Sequence, residues 1–253
     1  MTPELTTPRL YLPEEMEVGS RLRLGVDNRR YIGNVLRLRV GNRLILFDGR
    51  GKECDAVIQE LDAVSAAVEI LEKRDVATAG VRVTLAQALP KGSKMDFIVQ
   101  KTTELGVTRV IPFHSLRSIP RLPAEKSQLK TARWQKIAVE ACRQCGRADI
   151  PEVTDVLSFE EAVEVGVPGA LKLLLWEEER ERRAREVLKD ENAAQTDDIV
   201  VMVGPEGGFA PSEVDKALKL QYRSVGLGRR ILKVETASIV ILTIIQYERG
   251  QLG

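Results

Sequence analysis

Gly204-Pro205-Glu206-Gly207-Gly208-Phe209 is the stretch from which this chain is best read. It follows Ile199-Val200-Val201-Met202-Val203, an apolar, β-branched run that reads as a fully buried strand. It precedes Pro211-Ser212-Glu213-Val214-Asp215-Lys216, which reads as the start of a helix. A glycine-rich turn between a buried strand and a helix is where α/β proteins bring a ligand against bare backbone. The spacing excludes the two common nucleotide fingerprints. No Lys-Ser/Thr pair follows as a P-loop requires, and the glycines are not spaced Gly-x-Gly-x-x-Gly. A tight turn in which the glycines only supply positive φ would explain the same residues.

A second unit of the same kind follows. Arg223-Ser224-Val225-Gly226-Leu227-Gly228 reads as a short strand and turn. It runs through Arg229-Arg230-Ile231-Leu232-Lys233-Val234-Glu235-Thr236-Ala237 into an apolar segment reaching Tyr247. Ile231 stands where a dinucleotide turn would need its third glycine. In a parallel sheet, two such turns one crossover apart lie at the carboxyl edge and can line one pocket.

With Leu227-Gly228-x-Arg230-Ile231-Leu232-Lys233-x-Glu235-Thr236-Ala237 added to the first turn, the chain resembles the RsmE family, 16S ribosomal RNA uridine N3-methyltransferases of the SPOUT (trefoil-knot) superfamily. The resemblance spans nearly the whole chain. It includes Lys94-Met95-Asp96 with Lys101-Thr102-Thr103-Glu104-Leu105-Gly106-Val107, and Arg133-Trp134 through Glu140-Ala141 to Gln144-Cys145-Gly146-Arg147. Near the N-terminus it includes Arg9-Leu10-Tyr11 and Val35-Leu36-Arg37 to Leu46-Phe47-Asp48-Gly49. The chain departs from the family pattern at Lys233, where arginine is common, at Arg30-Tyr31 and Asn34, at Leu116 before Arg117-Ser118, and at Trp176.

The resemblance implies an α/β fold: a C-terminal trefoil-knotted parallel sheet flanked by helices, residues 77–253, and a smaller N-terminal PUA-like β-barrel for RNA binding, residues 1–76. It implies transfer of a methyl group from S-adenosylmethionine to N3 of a uridine in 16S rRNA of the 30S subunit, by a homodimer without metal. The cofactor would lie against Leu175, Val203, Gly204, Glu206, Gly207 and Gly208 on one side. Leu227, Gly228, Ile231, Leu232, Thr236 and Ala237 would form the other. Uracil N3 must lose its proton, so a cation that stabilises the uracilate is needed. Arg230 and Lys233 are candidates, and Glu235 or Glu206 could accept a proton or orient an arginine. Candidate RNA contacts are Arg9, Arg37, Lys94, Arg117, Arg121 and Arg147. Ribose 2′-O methylation and a catalytically silent RNA-binding assembly factor are the competing readings.

Composition agrees with this. At 253 residues, 30% charged and 43% hydrophobic, the chain is an ordinary globular protein of one or two domains. No apolar run approaches a membrane span and no signal peptide opens the chain, so a cytosolic location is expected. Cys142-x-x-Cys145 is half a zinc site at best, and with Cys54 the count is odd, so packing is the better reading. The single histidine, His114, leaves no metal or hydrolase motif. The net charge of +1 hides a segregation, because bases dominate the first fifty residues and the segment from Ala86 to Arg147. Clustered arginine suits a polyanionic partner.

Pattern and turn signals place strands at 21–24, 43–47, 54–58 and 66–71 of the first part, with a helix at 31–38. Beyond the polar stretch 73–80, strands are expected at 81–88, 107–113 and 171–175. Helices are expected at 94–105, 126–145 and 180–189, with a final apolar helix at 236–249. That helix has almost no polar face, which implies burial and a subunit interface.

Overall fold

The computed structural model describes residues 7–76, 80–119, 123–166, 168–190 and 196–252. The chain forms two compact units. One takes residues 1–78 together with Cys142–Ile150, and the other takes 79–141 and Pro151–Gly253.

The first unit is a five-stranded sheet of β1 (Arg9–Tyr11), β2 (Arg21–Leu24), β3 (Arg43–Phe47), β4 (Lys52–Leu61) and β5 (Ala66–Asp75), in the order β1-β3-β4-β5-β2. β1 runs parallel to β3 and the remaining pairs are antiparallel. Alternation drives one face inward: Leu44 and Leu46, Cys54, Ala56 and Ile58, and Ala66, Val68 and Ile70 are all buried. Leu10 and Leu24, on the two edge strands, join the same core, so the sheet curls around it. The expected helix at 31–38 forms differently. α1 (Val26–Arg30) starts earlier and is followed by wider turns over Tyr31–Val35, where the Leu36 N–H donates to the Tyr31 carbonyl at 2.9 Å. Arg37, at φ +55°, stops the helix.

The second unit alternates strand and helix. Its elements are β6 (Arg82–Ala88), α2 (Lys94–Glu104), β7 (Arg109–His114), α3 (Ala124–Cys145), β8 (Glu152–Val153), β9 (Leu157–Ser158), α4 (Phe159–Glu164), β10 (Leu171–Leu175), α5 (Ala184–Lys189), β11 (Asp198–Val203), α6 (Pro211–Lys219), β12 (Arg223–Val225) and α7 (Val234–Glu248). The last turn of α3 counts with the first unit. All strands are parallel, in the order β12-β10-β11-β6-β7-β8, with β9 also on β7. The central strands are continuous apolar runs because both faces are covered.

The path doubles back in the way a trefoil implies. β11 lies between β6 and β10 although it follows β10 in the chain. After β12 the chain runs along the 176–183 loop: the Gly226 N–H donates to the Arg182 carbonyl at 2.9 Å, and the Ala184 N–H donates to the Gly226 carbonyl at 3.3 Å. It then enters α7, which packs on α2, α5, β6 and β11. Ser238 of α7 is fully buried, and its hydroxyl donates to Gln87 Oε1 at 2.6 Å. Gln246 Nε2 donates to the Leu105 carbonyl at 2.9 Å, close against Gly106, where a side chain would collide.

Two expectations change here. The helix expected at 180–189 begins only at Ala184, because Glu179 Oε1 captures the Glu181 and Arg182 N–H groups at 3.0 and 3.2 Å in a turn. α7 is not buried all round: Ile241, Leu242 and Ile245 are buried, Ile239, Val240 and Ile244 are half-buried, and Thr243 and Tyr247 are exposed.

Candidate active-site cleft

Strand register places the cleft. Leu175 at the end of β10 lies level with Val203 of β11 on one side and Val225 of β12 on the other. The two glycine turns therefore leave the sheet edge on either side of Leu175, and this middle strand separates them. Between them opens a cleft of about 650 Å³. Leu175, Val203, Gly204 and Gly208 line one side, and Leu227, Gly228, Ile231, Leu232 and Ala237 line another. Arg230 also reaches it. Glu206, Gly207, Lys233, Glu235 and Thr236 are not among its walls.

Two glycines are required by close approach. A Cβ on Gly226 would lie 2.6 Å from the Glu179 carbonyl oxygen, and one on Gly208, at φ +67°, would meet the Glu177 carboxylate. A Cβ on Gly207 would instead make ordinary contact with Arg117 Cβ at 3.5 Å. Phe209 anchors the turn in the core, stacked on Phe113 at 6.4 Å between centroids and tilted against Phe159. Its burial stabilises the turn by roughly 2–3 kcal/mol.

Behind the turn lies a charged cluster. Glu206 accepts from Lys94 Nζ at 2.6 Å and from the Lys91 N–H at 3.1 Å. Burial pushes the Glu206 carboxyl up, but these donors outweigh it and hold it below the usual carboxylate range. The same bond raises the Lys94 ammonium above its ordinary value. Glu235, at the start of α7, is different: among the described residues its buried Oε2 accepts no hydrogen bond, and it pairs only loosely with Lys94 Nζ at 3.8 Å. Of the two candidate carboxylates, Glu206 is committed to bonds and Glu235 keeps an open acceptor. Lys233 is exposed at the N-terminus of α7.

Arg117 belongs to a distant loop in sequence but donates to the Gly207 carbonyl at 2.9 Å. The central loop is therefore joined to the glycine turn rather than independent of it. Glu213, only 2% exposed, fixes this junction. It accepts from the Ala210 N–H at 2.8 Å, the Leu116 N–H at 3.0 Å and the Ser115 hydroxyl at 3.1 Å. The remaining candidate RNA contacts diverge. Arg37 is exposed. Arg9 is largely buried, paired with Glu53, bonded to the Arg147 carbonyl at 2.9 Å and set over the Phe47 ring. Arg147 pairs with Asp149 at 2.5 Å. Both therefore have work inside the first unit. Lys94 is engaged as described above, and Arg121 lies outside the described residues.

Sequence reasoning missed Trp176, Glu177, Glu179, Arg180, Pro205, Val225, Gly226 and Val234, all of which line the cleft. Gly226 was visible as a glycine, but its need for bare backbone comes from the 176–183 loop, which no local pattern places against it. Cys142 is buried, its thiol pushed up to about 12 by burial, and its Sγ lies 3.4 Å from the Asp149 carbonyl. Cys142 thus behaves as a packing residue, whereas Cys145 is exposed. Among the described residues no group of three or more His, Cys, Asp or Glu could hold a metal ion, and no helix is long and apolar enough to cross a membrane.

Comparison with known proteins fits this geometry. Residues 78–246 match the model of an RNA methyltransferase domain, and residues 21–71 match that of an RNA methyltransferase PUA domain. Ribosomal RNA small subunit methyltransferase E of Bacillus subtilis is 29% identical over 93% of both chains. The Synechocystis protein of that name is 33% identical over 92% of this chain and 75% of its own length. The crystal structure of the Neisseria gonorrhoeae enzyme of that name, bound to S-adenosyl methionine, superposes with a TM-score of 0.85 at 36% identity, covering 95% of this chain and 97% of that one. A Legionella pneumophila methyltransferase in complex with the same cofactor gives a TM-score of 0.86 at 32% identity over 95% and 97%. A SPOUT-type sheet carrying this cleft, a PUA-like unit before it, and relatives alike from end to end place the chain in the ribosomal RNA small subunit methyltransferase E family.

Proposed function

We propose that this chain methylates N3 of a uridine in 16S rRNA of the 30S subunit, the family's position 1498, using S-adenosylmethionine. The observation that carries the proposal is the cleft at three adjacent strand ends, where Gly208 and Gly226 leave only backbone. The residues fit the cofactor. Apolar walls from Leu175, Val203, Leu227, Ile231 and Leu232 suit an adenine, and the turns offer backbone groups at close range. When bound, the cofactor supplies an electrophilic methyl group. The chain must then hold the uracil, remove its N3 proton and exclude water. Arg230, on the cleft wall, is placed to stabilise the uracilate and its flanking oxygens, with Lys233 outside as a second cation. Glu235, with its open acceptor, is the better of the two carboxylates to receive the proton or orient Arg230.

The same reading makes residues 1–76 an RNA-binding domain and 77–253 the methyltransferase domain. It makes the enzyme a homodimer, because Val240, Ile244 and Tyr247 leave an apolar stripe along α7 for a second copy to cover. A ribosomal substrate places the enzyme in the cytoplasm. Transfer of labelled methyl from S-adenosylmethionine to purified 30S subunits tests the proposal. No incorporation by protein that binds the cofactor would favour a silent assembly factor instead.

A further inference from the structure

Beside the cleft, and sharing Glu179, Arg180, Gly226 and Gly228 with it, lies a second depression of about 600 Å³. Its remaining walls are Arg182, Arg183 and Arg229. All four arginines are exposed, and among the described residues their side chains make no ion pair within 4 Å, the nearest charge interaction being that of Arg182 with Glu179. The one carboxylate in the wall is already used: Glu179 Oε1 accepts from two backbone N–H groups, and Oε2 accepts from the Ser224 hydroxyl at 2.5 Å. Burial raises the Glu179 carboxyl, but these bonds and nearby Arg182 hold it below the usual range, so it stays ionised as part of the turn. Glu177, Glu178 and Glu181 belong to the same loop but do not line the depression. Arg185, one turn further on, is neutralised by Glu248 at 2.9 Å, which sets the other four apart.

Four guanidinium groups against a single carboxylate, whose oxygens already accept three hydrogen bonds, leave the concavity with an excess of positive charge that an anion would relieve. Their planar forks match phosphate oxygens. The concavity shares its wall with the reaction cleft, so a polynucleotide whose base enters the cleft can lay its backbone there. We propose that Arg180, Arg182, Arg183 and Arg229 bind the RNA phosphates that flank the target uridine. The inference rests on the rRNA-methylation reading.

The test uses the full chain carrying Arg182→Gln, Arg183→Gln and Arg229→Gln together, none of which lines the cofactor cleft. The salt dependence of 30S binding, the KM for 30S subunits and the calorimetric affinity for S-adenosylmethionine are measured beside wild type. The expected result is a salt slope smaller by about two to three, a 30S KM raised about tenfold or more, and unchanged cofactor affinity. Lysine at the same three positions should restore the slope, because it keeps the charge. An unchanged slope and KM in the glutamine variant would overturn the inference, as would a loss of cofactor affinity with the slope intact, or failure of the lysine variant to restore the slope. If wild type binds 30S subunits but transfers no methyl group, the reaction proposal fails while the slope comparison still decides the depression.

Discussion

Substituting Gly226 with alanine probes the crossing on which the cleft depends. The new Cβ would lie 2.6 Å from the Glu179 carbonyl oxygen, and ordinary contact begins near 3.4 Å. The obstacle is backbone, so it cannot rotate away. Either β12 or the 176–183 loop must move, and the move strains the two hydrogen bonds that Gly226 makes with Arg182 and Ala184. Overpacking costs about 1–3 kcal/mol, and each weakened backbone bond costs up to about 1 kcal/mol, so a loss of about 2–4 kcal/mol is expected. At roughly 2–4 °C per kcal/mol for units of this size, the melting temperature should fall by about 4–16 °C. The displaced wall carries Leu227 and Gly228, so cofactor affinity by calorimetry should drop about tenfold or more. Gly207→Ala is the control, because its Cβ makes no contact tighter than ordinary van der Waals distance, the nearest being Arg117 Cβ at 3.5 Å; affinity and stability should stay close to wild type. Wild-type affinity and melting in Gly226→Ala, or an equal loss in Gly207→Ala, would refute the reasoning.

Asp96 accepts from the buried Trp134 indole at 3.0 Å and from Arg133 at 2.6 Å, so Asp96→Ala should cost about 2–3 kcal/mol in urea unfolding, and a loss under 0.5 kcal/mol would contradict that role. Asp62 accepts from the Ser65 hydroxyl and the Val64 and Ser65 N–H groups, which lower its carboxyl from the ordinary 3.8 to about 2. A depressed carboxylate stabilises the fold above its unfolded pKa, and that contribution is lost as pH falls from about 4 toward 2. Carboxyl chemical shifts in NMR would show the midpoint, and titration near 3.8 would count against the turn. Arg117→Ala should flatten the salt slope of RNA binding by about one. Because Arg117 also bonds Gly207, cofactor affinity should fall as well, by less than about tenfold; no change in either quantity would leave Arg117 a solvated side chain.

Much of this architecture was legible in the sequence. The apolar runs at 171–175 and 199–203 are strands because both faces are buried, and the two glycine turns lie at the carboxyl edge where alternation of strand and helix puts them. The start of α4 was legible but passed over: Ser158-x-x-Glu161 is a capping box, and both of its reciprocal bonds form. What could not be read is contact between segments far apart in sequence. Nothing near Gly226 announces that the Glu179 carbonyl will press on it, and nothing near Arg117 announces the Gly207 carbonyl. Arg9 reads as a phosphate ligand by composition, yet Glu53, Phe47 and the Arg147 carbonyl, which the fold gathers around it, hold it in the first unit. The same arginine count overlooked 180–183, because Glu177, Glu178 and Glu181 neutralise that segment on paper while the turn at Glu179 separates the arginines into their own concavity.

The central claim is methyl transfer to a uracil ring nitrogen. Its most direct test is mass-spectrometric mapping of 16S rRNA from 30S subunits incubated with this protein and S-adenosylmethionine. Subunits must come from cells lacking the endogenous modification. The account predicts one added methyl group on the base of a single uridine, at N3. A methyl group on a ribose 2′-oxygen, or none on subunits that the protein demonstrably binds, would contradict it.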